Sequence, residues 1–281
     1  MEPSYYEFLN SVKIISGLEG LSYLPAELLR LGVNKPIIIT DKGVADAGLL
    51  EIVKENCNTD RGVSIGAIYD DTPVDSSIHA VNEIAEVYRE KECDCIIAVG
   101  GGSAIDTAKG VNIVLSEDTD DLLKFTGNNR VRAVMEPFVV IPTTGGTGSE
   151  ATMAAIISNP DQNVKMSFST PLIIPDFAVL DPRMTMTMPP KVTAYTGMDA
   201  LAHAIEACMS LQRNPLSDAF AYQAIELIMS NLVNAVKDGN NPQYRLAMSN
   251  AAYLAGVAFS NSMVGVVHTV AHALGSVCHI P

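Results

Sequence analysis

Short β-branched runs alternate with amphipathic stretches along the first half of the chain, the pattern of parallel βαβ units. Pro36-Ile37-Ile38-Ile39-Thr40 predicts a buried strand, followed by a turn at Asp41-Lys42-Gly43 and a helix through Val53. A second strand is expected over residues 64–69 and a helix over 76–91, where Ile78, Val81, Ile84, Ala85 and Tyr88 recur near the 3.6-residue period. Residues 95–99 form the most strongly marked strand, which runs into Gly100-Gly101-Gly102, and Ser103 opens a helix bearing Asp106 and Lys109. After a polar segment over 116–132, residues 138–141 predict a strand that ends at Pro142-Thr143-Thr144-Gly145-Gly146-Thr147-Gly148-Ser149. Beyond Asp181-Pro182, long Ala-, Met- and Leu-rich stretches predict a mainly helical second domain. The expected division is 1–185 and 186–281, an α/β domain followed by a helical one.

Composition narrows the function classes. Of 281 residues, 48% are apolar and 18% charged, and the mean hydropathy is +0.21, values of a chain that buries a core. Lys and Arg number 18 against 32 Asp and Glu, and a net charge of −14 has the wrong sign for a general phosphate-backbone binder, so no nucleic-acid partner is expected. The start, Met1-Glu2-Pro3-Ser4-Tyr5-Tyr6, lacks the basic and apolar run of a signal peptide, and a cytoplasmic location is expected. The apolar stretch over 251–267 is interrupted by Ser260-Asn261-Ser262, and its two glycines and many alanines suit close helix packing better than lipid, so no membrane partner is expected. Five cysteines without framework spacing point to reduced thiols.

The two glycine turns are candidate ligand loops. Gly100-Gly101-Gly102-Ser103 lies between a strand end and a helix start, where glycine lets the backbone approach an anion and the helix N–H groups favour phosphate. It is not the G-x-G-x-x-G fingerprint, and a structural βα turn accounts for it equally well. The loop from Thr143 to Ser149 is again at a strand end and dense in hydroxyls, and open α/β sheets bind ligands at the carboxyl ends of their strands. Asp41, just past the first strand, can accept hydrogen bonds from an adenosine ribose and repel a 2′-phosphate, which favours NAD over NADP; its other reading is a helix N-cap.

A second set of residues points to a metal. Asp199 and His203 lie four apart in Gly197-Met198-Asp199-Ala200-Leu201-Ala202-His203-Ala204-Ile205-Glu206, which puts both on one helix face. His268 and His272 repeat the spacing, and four of the five histidines follow residue 200. Two such pairs make a metal site the better reading, and imidazole with carboxylate suits Fe(II) or Zn(II).

With these motifs the sequence resembles the iron-containing (group III) alcohol dehydrogenases. The likeness is carried by the run from Gly100 to Lys109, by Pro142 to Glu150, and by the pattern from Val179-Leu180-Asp181-Pro182 through Met188-Pro189-Pro190 to Glu206, and it extends over essentially the whole chain. The resemblance implies a Rossmann-like, parallel-sheet dinucleotide-binding domain followed by a helical metal-binding domain. It implies that Asp199, His203 and His268 are metal ligands and that His272 lies beside the nicotinamide and substrate as the catalytic proton relay. It also implies NAD contacts from Asp41, Gly101, Gly102, Ser103, Asp106, Thr143, Thr144, Thr147 and Lys165, the last 15 residues after Glu150 as in the family pattern.

Three departures stand out. Thr72-Pro73 replaces the family's usual Asn-Pro pair, and Ala104 stands where many relatives have proline. The family's fourth ligand would follow His268 by 14 residues, and Pro281 is one residue short of it, so the helical domain is expected to be incomplete and the sequence a fragment. His279 does not substitute, since 11 residues along a helix is about 16 Å.

The expected activity is hydride transfer between a primary or small polyol alcohol, or its aldehyde, and NAD, with Fe(II) or alternatively Zn(II), in a homo-oligomer. Alternatives are a zinc-dependent glycerol dehydrogenase-like or dehydroquinate synthase-like enzyme and, from a different class, a non-catalytic dinucleotide-binding fragment.

Overall fold

The structure, a computed structural model, describes residues 3–57 and 62–278, apart from the side chains of residues 272, 273 and 275–278. These fall into two compact units. One comprises Ser11–Thr143 and Met153–Met184, the other Met1–Asn10, Thr144–Thr152 and Thr185–Pro281. The change of unit after Met184 lies beside the expected cut at 185, but the cut is not the only one. The glycine loop and the first ten residues group with the helices, so the units are interleaved along the chain.

The strands are β1 (Lys13–Ser16), β2 (Pro36–Ile39), β3 (Ala67–Tyr69), β4 (Cys95–Gly100), β5 (Gly127–Asn128), β6 (Phe138–Pro142), β7 (Ala154–Asn159), β8 (Val164–Ser169) and β9 (Phe177–Leu180). The helices of this α/β unit are α1 (Leu24–Arg30), α2 (Lys42–Asp46), α3 (Leu49–Cys57), α4 (Ile78–Glu90) and α5 (Gly102–Ser116). Six strands form a parallel sheet in the order β1-β9-β6-β4-β2-β3. Every residue of β2, β4, β6 and β9 is buried, as a parallel sheet covered on both faces requires, and this is why those strands read as unbroken apolar runs. Ile38, Ile97, Val99, Val139 and Val179 meet Leu21, Leu24, Leu28 and Val53 in one core cluster.

Strand order places the crevice. From β2 the chain crosses to β3 on one side, then returns past β2 to β4 and continues to β6 on the other side. The direction of winding therefore reverses between β2 and β4, and ligands of doubly wound sheets bind beyond the carboxyl ends of the strands at such a reversal. Carboxylates tie down the opposite, amino-terminal ends. Asp94 accepts the N–H groups of Asn34 and Lys35 at 2.7 and 2.8 Å, and Asp176 accepts that of Phe138 at 2.9 Å.

Two expectations change. The single helix predicted after residue 41 is split into α2 and α3 by Gly48, whose φ of +78° is open to glycine and strained for other residues. The strand predicted over 64–69 is only Ala67–Tyr69. The hairpin of β7 and β8, with β5, forms a second, three-stranded sheet that the patterning did not predict. Its outer strand β7 is met by side chains instead of a strand: Asp106 accepts the Ile156 N–H at 2.9 Å and Lys109 donates to the Ala154 carbonyl at 2.8 Å.

The helical unit contains α6 (Pro190–Met209), α7 (Pro215–Lys237), α8 (Pro242–Ser260) and α9 (Val266–Cys278). Each of α6, α7 and α8 begins at proline, whose missing N–H is no loss in a first turn. Small residues let the helices approach: Ala204 and Ala207 of α6, Ala221 and Ala224 of α7, and Ala255 and Ala258 of α8 share one buried cluster. Buried Arg245 binds the Gly239 carbonyl, the Thr193 hydroxyl and the Met188 carbonyl at 2.8, 2.7 and 2.9 Å, joining the start of α6 to the turn before α8. No described helix is long and apolar enough to cross a membrane.

The glycines of the loop over 145–148 serve packing within this unit. A Cβ on Gly146 would stand 2.5 Å from the Thr196 carbonyl oxygen, and one on Gly148 would stand 2.7 Å from Gly256 Cα. Replacing Gly146 by alanine should therefore lower stability by about 1–3 kcal/mol through overpacking, measured by urea unfolding. An unchanged midpoint would mean that the loop does not lie this close to α6.

Candidate functional site

Helix α6 presents Asp199, His203 and Glu206 at spacings of four and three residues, so the three side chains project from one face. Residue His268, in the first turn of α9, completes the group. One ligand atom from each of Asp199, His203 and His268 lies within 4.8 Å of the others, the one such His/Cys/Asp/Glu group among the described residues. His268 Nε2 is 3.4 Å from Asp199 Oδ1, and His203 Nε2 is 4.0 Å from it. The two imidazoles stack with centroids 4.2 Å apart, and Phe259 stacks on the other side of His203 at 4.2 Å.

The protonation states follow from the surroundings. Burial pushes His203 down to about 4 against the pull of Asp199, so its ring is neutral at pH 7, as a metal ligand must be. A backbone hydrogen bond with Gly146 adds to the pull of Asp199 on the ring without overcoming its burial. For His268, burial opposes the charged form, but Asp199 and Glu206 outweigh it and raise the ring above the ordinary imidazole value. Burial would raise Glu206 too, yet its bonds from His268, Val267 and Gly265 hold the carboxyl below its usual value. Two imidazoles and one partly exposed carboxylate, with a second carboxylate behind His268, fit a borderline divalent ion such as Fe(II) or Zn(II).

The α/β unit places Asp41 and the Gly101–Ser103 turn at the winding reversal, beyond β2 and β4 respectively. Asp41 is the N-cap of α2, its Oδ1 accepting the Val44 N–H at 2.9 Å, so the capping role is present in the structure. Gly101 is the N-cap of α5 in extended backbone and offers no side-chain cap to the first-turn N–H groups. A Cβ on Gly100 would stand 2.6 Å from Ala104 Cβ, so this glycine and the small residue at 104 let strand and helix meet. Ser103 Oγ donates to the Val74 carbonyl. Asp106 faces β7, and burial pushes it up to about 6 against Lys109 and the Ile156 N–H. Thr143 extends the sheet pairing by donating its N–H to the Gly100 carbonyl at 2.9 Å. Lys165 lies on β8 in an exposed pair with Asp75 at 3.0 Å.

Thr144 and Thr147 belong to the helical unit. The Thr144 hydroxyl is buried with no hydrogen-bond partner among the described residues, and the Thr147 hydroxyl accepts the Ser149 N–H at 3.4 Å. The side chain of His272 and all of His279 lie outside the described residues.

The sequence reading gave no role to Glu206 or Thr40, and it marked Thr72 only as a departure from the family's Asn-Pro pair. Glu206 stands in the same motif as Asp199 and His203, and its position seven residues after the first and three after the second was the available signal. Thr40 and Thr72 carry buried hydroxyls with no hydrogen-bond partner among the described residues, and the Thr72 N–H donates to the Thr40 carbonyl at 3.2 Å beyond β2. Thr40, a lone threonine after a strand, carries no such signal in sequence.

A parallel α/β unit wound in both directions, together with a helical unit that gathers two imidazoles and a carboxylate, is the architecture of the metal-dependent, two-domain dehydrogenases. The chain belongs to the iron-containing alcohol dehydrogenase family: the family's iron-containing alcohol dehydrogenase model matches residues 11–182, and the model of the family's C-terminal domain matches 193–281. It is 37% identical over 263 residues to the NAD-dependent methanol dehydrogenase of Bacillus methanolicus, covering 94% of this chain and 68% of that protein. It is 40% identical over 248 residues to alcohol dehydrogenase 4 of Saccharomyces cerevisiae (strain YJM789), covering 88% of this chain and 64% of the relative. The crystal structure of a 1,3-propanediol oxidoreductase superposes with a TM-score of 0.95 at 35% identity, covering 99% of this chain and 72% of that one. The chain thus spans about two thirds of the length of these curated relatives.

The geometry around His203 yields a direct expectation. His203→Ala should abolish retention of a divalent metal, measured by elemental analysis after gel filtration, because it removes one of the three ligand atoms that converge within 4.8 Å. Stoichiometric metal in that variant would remove His203 from the ligand set.

Proposed function

We propose that the chain is an NAD-dependent alcohol dehydrogenase that interconverts a primary or small polyol alcohol and its aldehyde. The observation that carries this reading is the convergence of Asp199, His203 and His268 within 4.8 Å in a member of the iron-containing family. Methanol and 1,3-propanediol, for which two of the similar proteins are named, are both primary alcohols. The proposed setting is a cytoplasmic homo-oligomer.

In this reading Asp199, His203 and His268 hold Fe(II), or alternatively Zn(II). When bound, the metal supplies a Lewis acid for the hydroxyl oxygen and NAD supplies the hydride acceptor. The first-turn N–H groups of α5, reached across Gly101, Gly102 and Ser103, bind the pyrophosphate, since a helix N-terminus with uncapped donors favours an anion. Asp41 accepts from the adenosine ribose and repels a 2′-phosphate. Thr143, Thr144 and Thr147 add hydroxyl contacts to the dinucleotide, with Asp106 and Lys165 as its further neighbours. His272 takes the proton that the alcohol gives up.

Anaerobic loading with Fe(II) or Zn(II), followed by a panel of alcohols with NAD or NADP, tests the activity. Metal-dependent NADH formation from primary alcohols is expected. Failure to retain either metal would sink the reading.

Asp41→Gly separates the two roles of that carboxylate, because glycine at an N-cap costs only a few tenths of a kcal/mol. Relative use of NADP should rise while stability hardly changes. An unaltered NAD to NADP ratio would leave Asp41 as a cap alone.

A further inference from the structure

Glu206 is a buried carboxylate that the proposed reaction does not use, and all of its contacts lie at the start of one helix. Its Oε1 accepts the Val267 N–H at 2.7 Å, the Gly265 N–H adds a second backbone bond, and its Oε2 meets His268 Nδ1. Helix α6 thus supplies an acceptor to the first N–H groups of α9. Gly265 makes room for this: a Cβ there would stand 2.6 Å from Glu206 Oε1 and 3.1 Å from Cδ.

An ionised carboxylate can only accept, so the atom it meets on His268 must carry the proton. That keeps a hydrogen on Nδ1, so Nε2, which faces Asp199 at 3.4 Å, is the nitrogen that can give up its proton to a metal ion. We propose that Glu206 is a positioning residue that fixes both the tautomer of His268 and the register of α9, so that Nε2 is the nitrogen presented to a metal ion. The proposal rests on the reading of Asp199, His203 and His268 as ligands. It adds a reason why α6 carries a third polar residue on that face: the helix that supplies two ligands also orients the third.

Glu206→Gln is the informative variant. Its amide oxygen still accepts the Val267 N–H, but its NH₂ group now faces Nδ1, which must become an acceptor. The ring hydrogen then moves to Nε2 and blocks the atom that should bind metal. Zn(II) affinity, measured by competition with a chromophoric chelator, should fall by about 10–100-fold, the usual effect of losing such a carboxylate behind a ligand histidine. Nitrogen NMR of the metal-free chain, at a pH raised until the His268 signals stop shifting, should show the Nδ1–H form in the parent and the Nε2–H form in the variant. Gly265→Ala, which displaces the carboxylate without altering its chemistry, should weaken Zn(II) binding in the same direction.

Unchanged Zn(II) affinity in Glu206→Gln overturns the proposal, and so does weaker binding with the Nδ1–H form retained. If the parent chain binds no Zn(II), the ligand reading fails, and the tautomer measurement on metal-free protein still decides what Glu206 does.

Discussion

Helix α6 has to be close-packed and polar at once, and the helical unit is arranged around that demand. Its alanines at 200, 204 and 207 are fully buried against α7 and α8, while Asp199, His203 and Glu206 occupy a stripe turned toward α9. Burying three ionisable groups on one helix is costly unless each is paired or neutral. Each is accommodated differently. His203 becomes neutral and stacks between two rings, Glu206 takes backbone N–H groups and an imidazole, and Asp199 stays partly exposed.

The α/β unit answers a different constraint. A parallel sheet buried on both faces has no free face for chemistry, which leaves the strand ends. Its amino-terminal ends are closed by Asp94 and Asp176, whereas the carboxyl ends of β2 and β4 open into the turns bearing Asp41 and Gly101–Ser103. Buried hydroxyls of Thr40 and Thr72 lie at that same end of β2 without a hydrogen-bond partner among the described residues. The asymmetry between a sealed end and a donor-rich end points a ligand to one side of the sheet.

Much of this was legible in the chain because the relevant periods are short. Residues 95–99 read as a strand through continuous apolar character, and Asp199 with His203 read as a pair through one helical turn. What stayed hidden involves partners distant in sequence. The glycines at 146 and 148 read as flexible ligand-loop backbone, yet in the fold they are forced by Thr196 and Gly256, some 50 and 108 residues on, and no local pattern marks that approach. Strand β7 alternates half-buried and buried positions, whereas β8 begins with two exposed residues and alternates only beyond them, a weak signal beside the strong parallel strands. Asp41 read equally as a cap and as a ribose acceptor because one carboxylate can do both, and the cap is the part visible in a contact.

The outer edge of β7 has a consequence for how this family member avoids sticking to itself. Ala154, Ile156 and Ser158 alternate along that edge, and their outward groups are taken by Lys109, Asp106 and the Ser76 carbonyl. Side chains of a helix thereby occupy the place of a neighbouring strand. An open edge of this kind is a template on which another chain can add, and the bonds to Asp106, Lys109 and the Ser76 backbone leave these groups of β7 already satisfied.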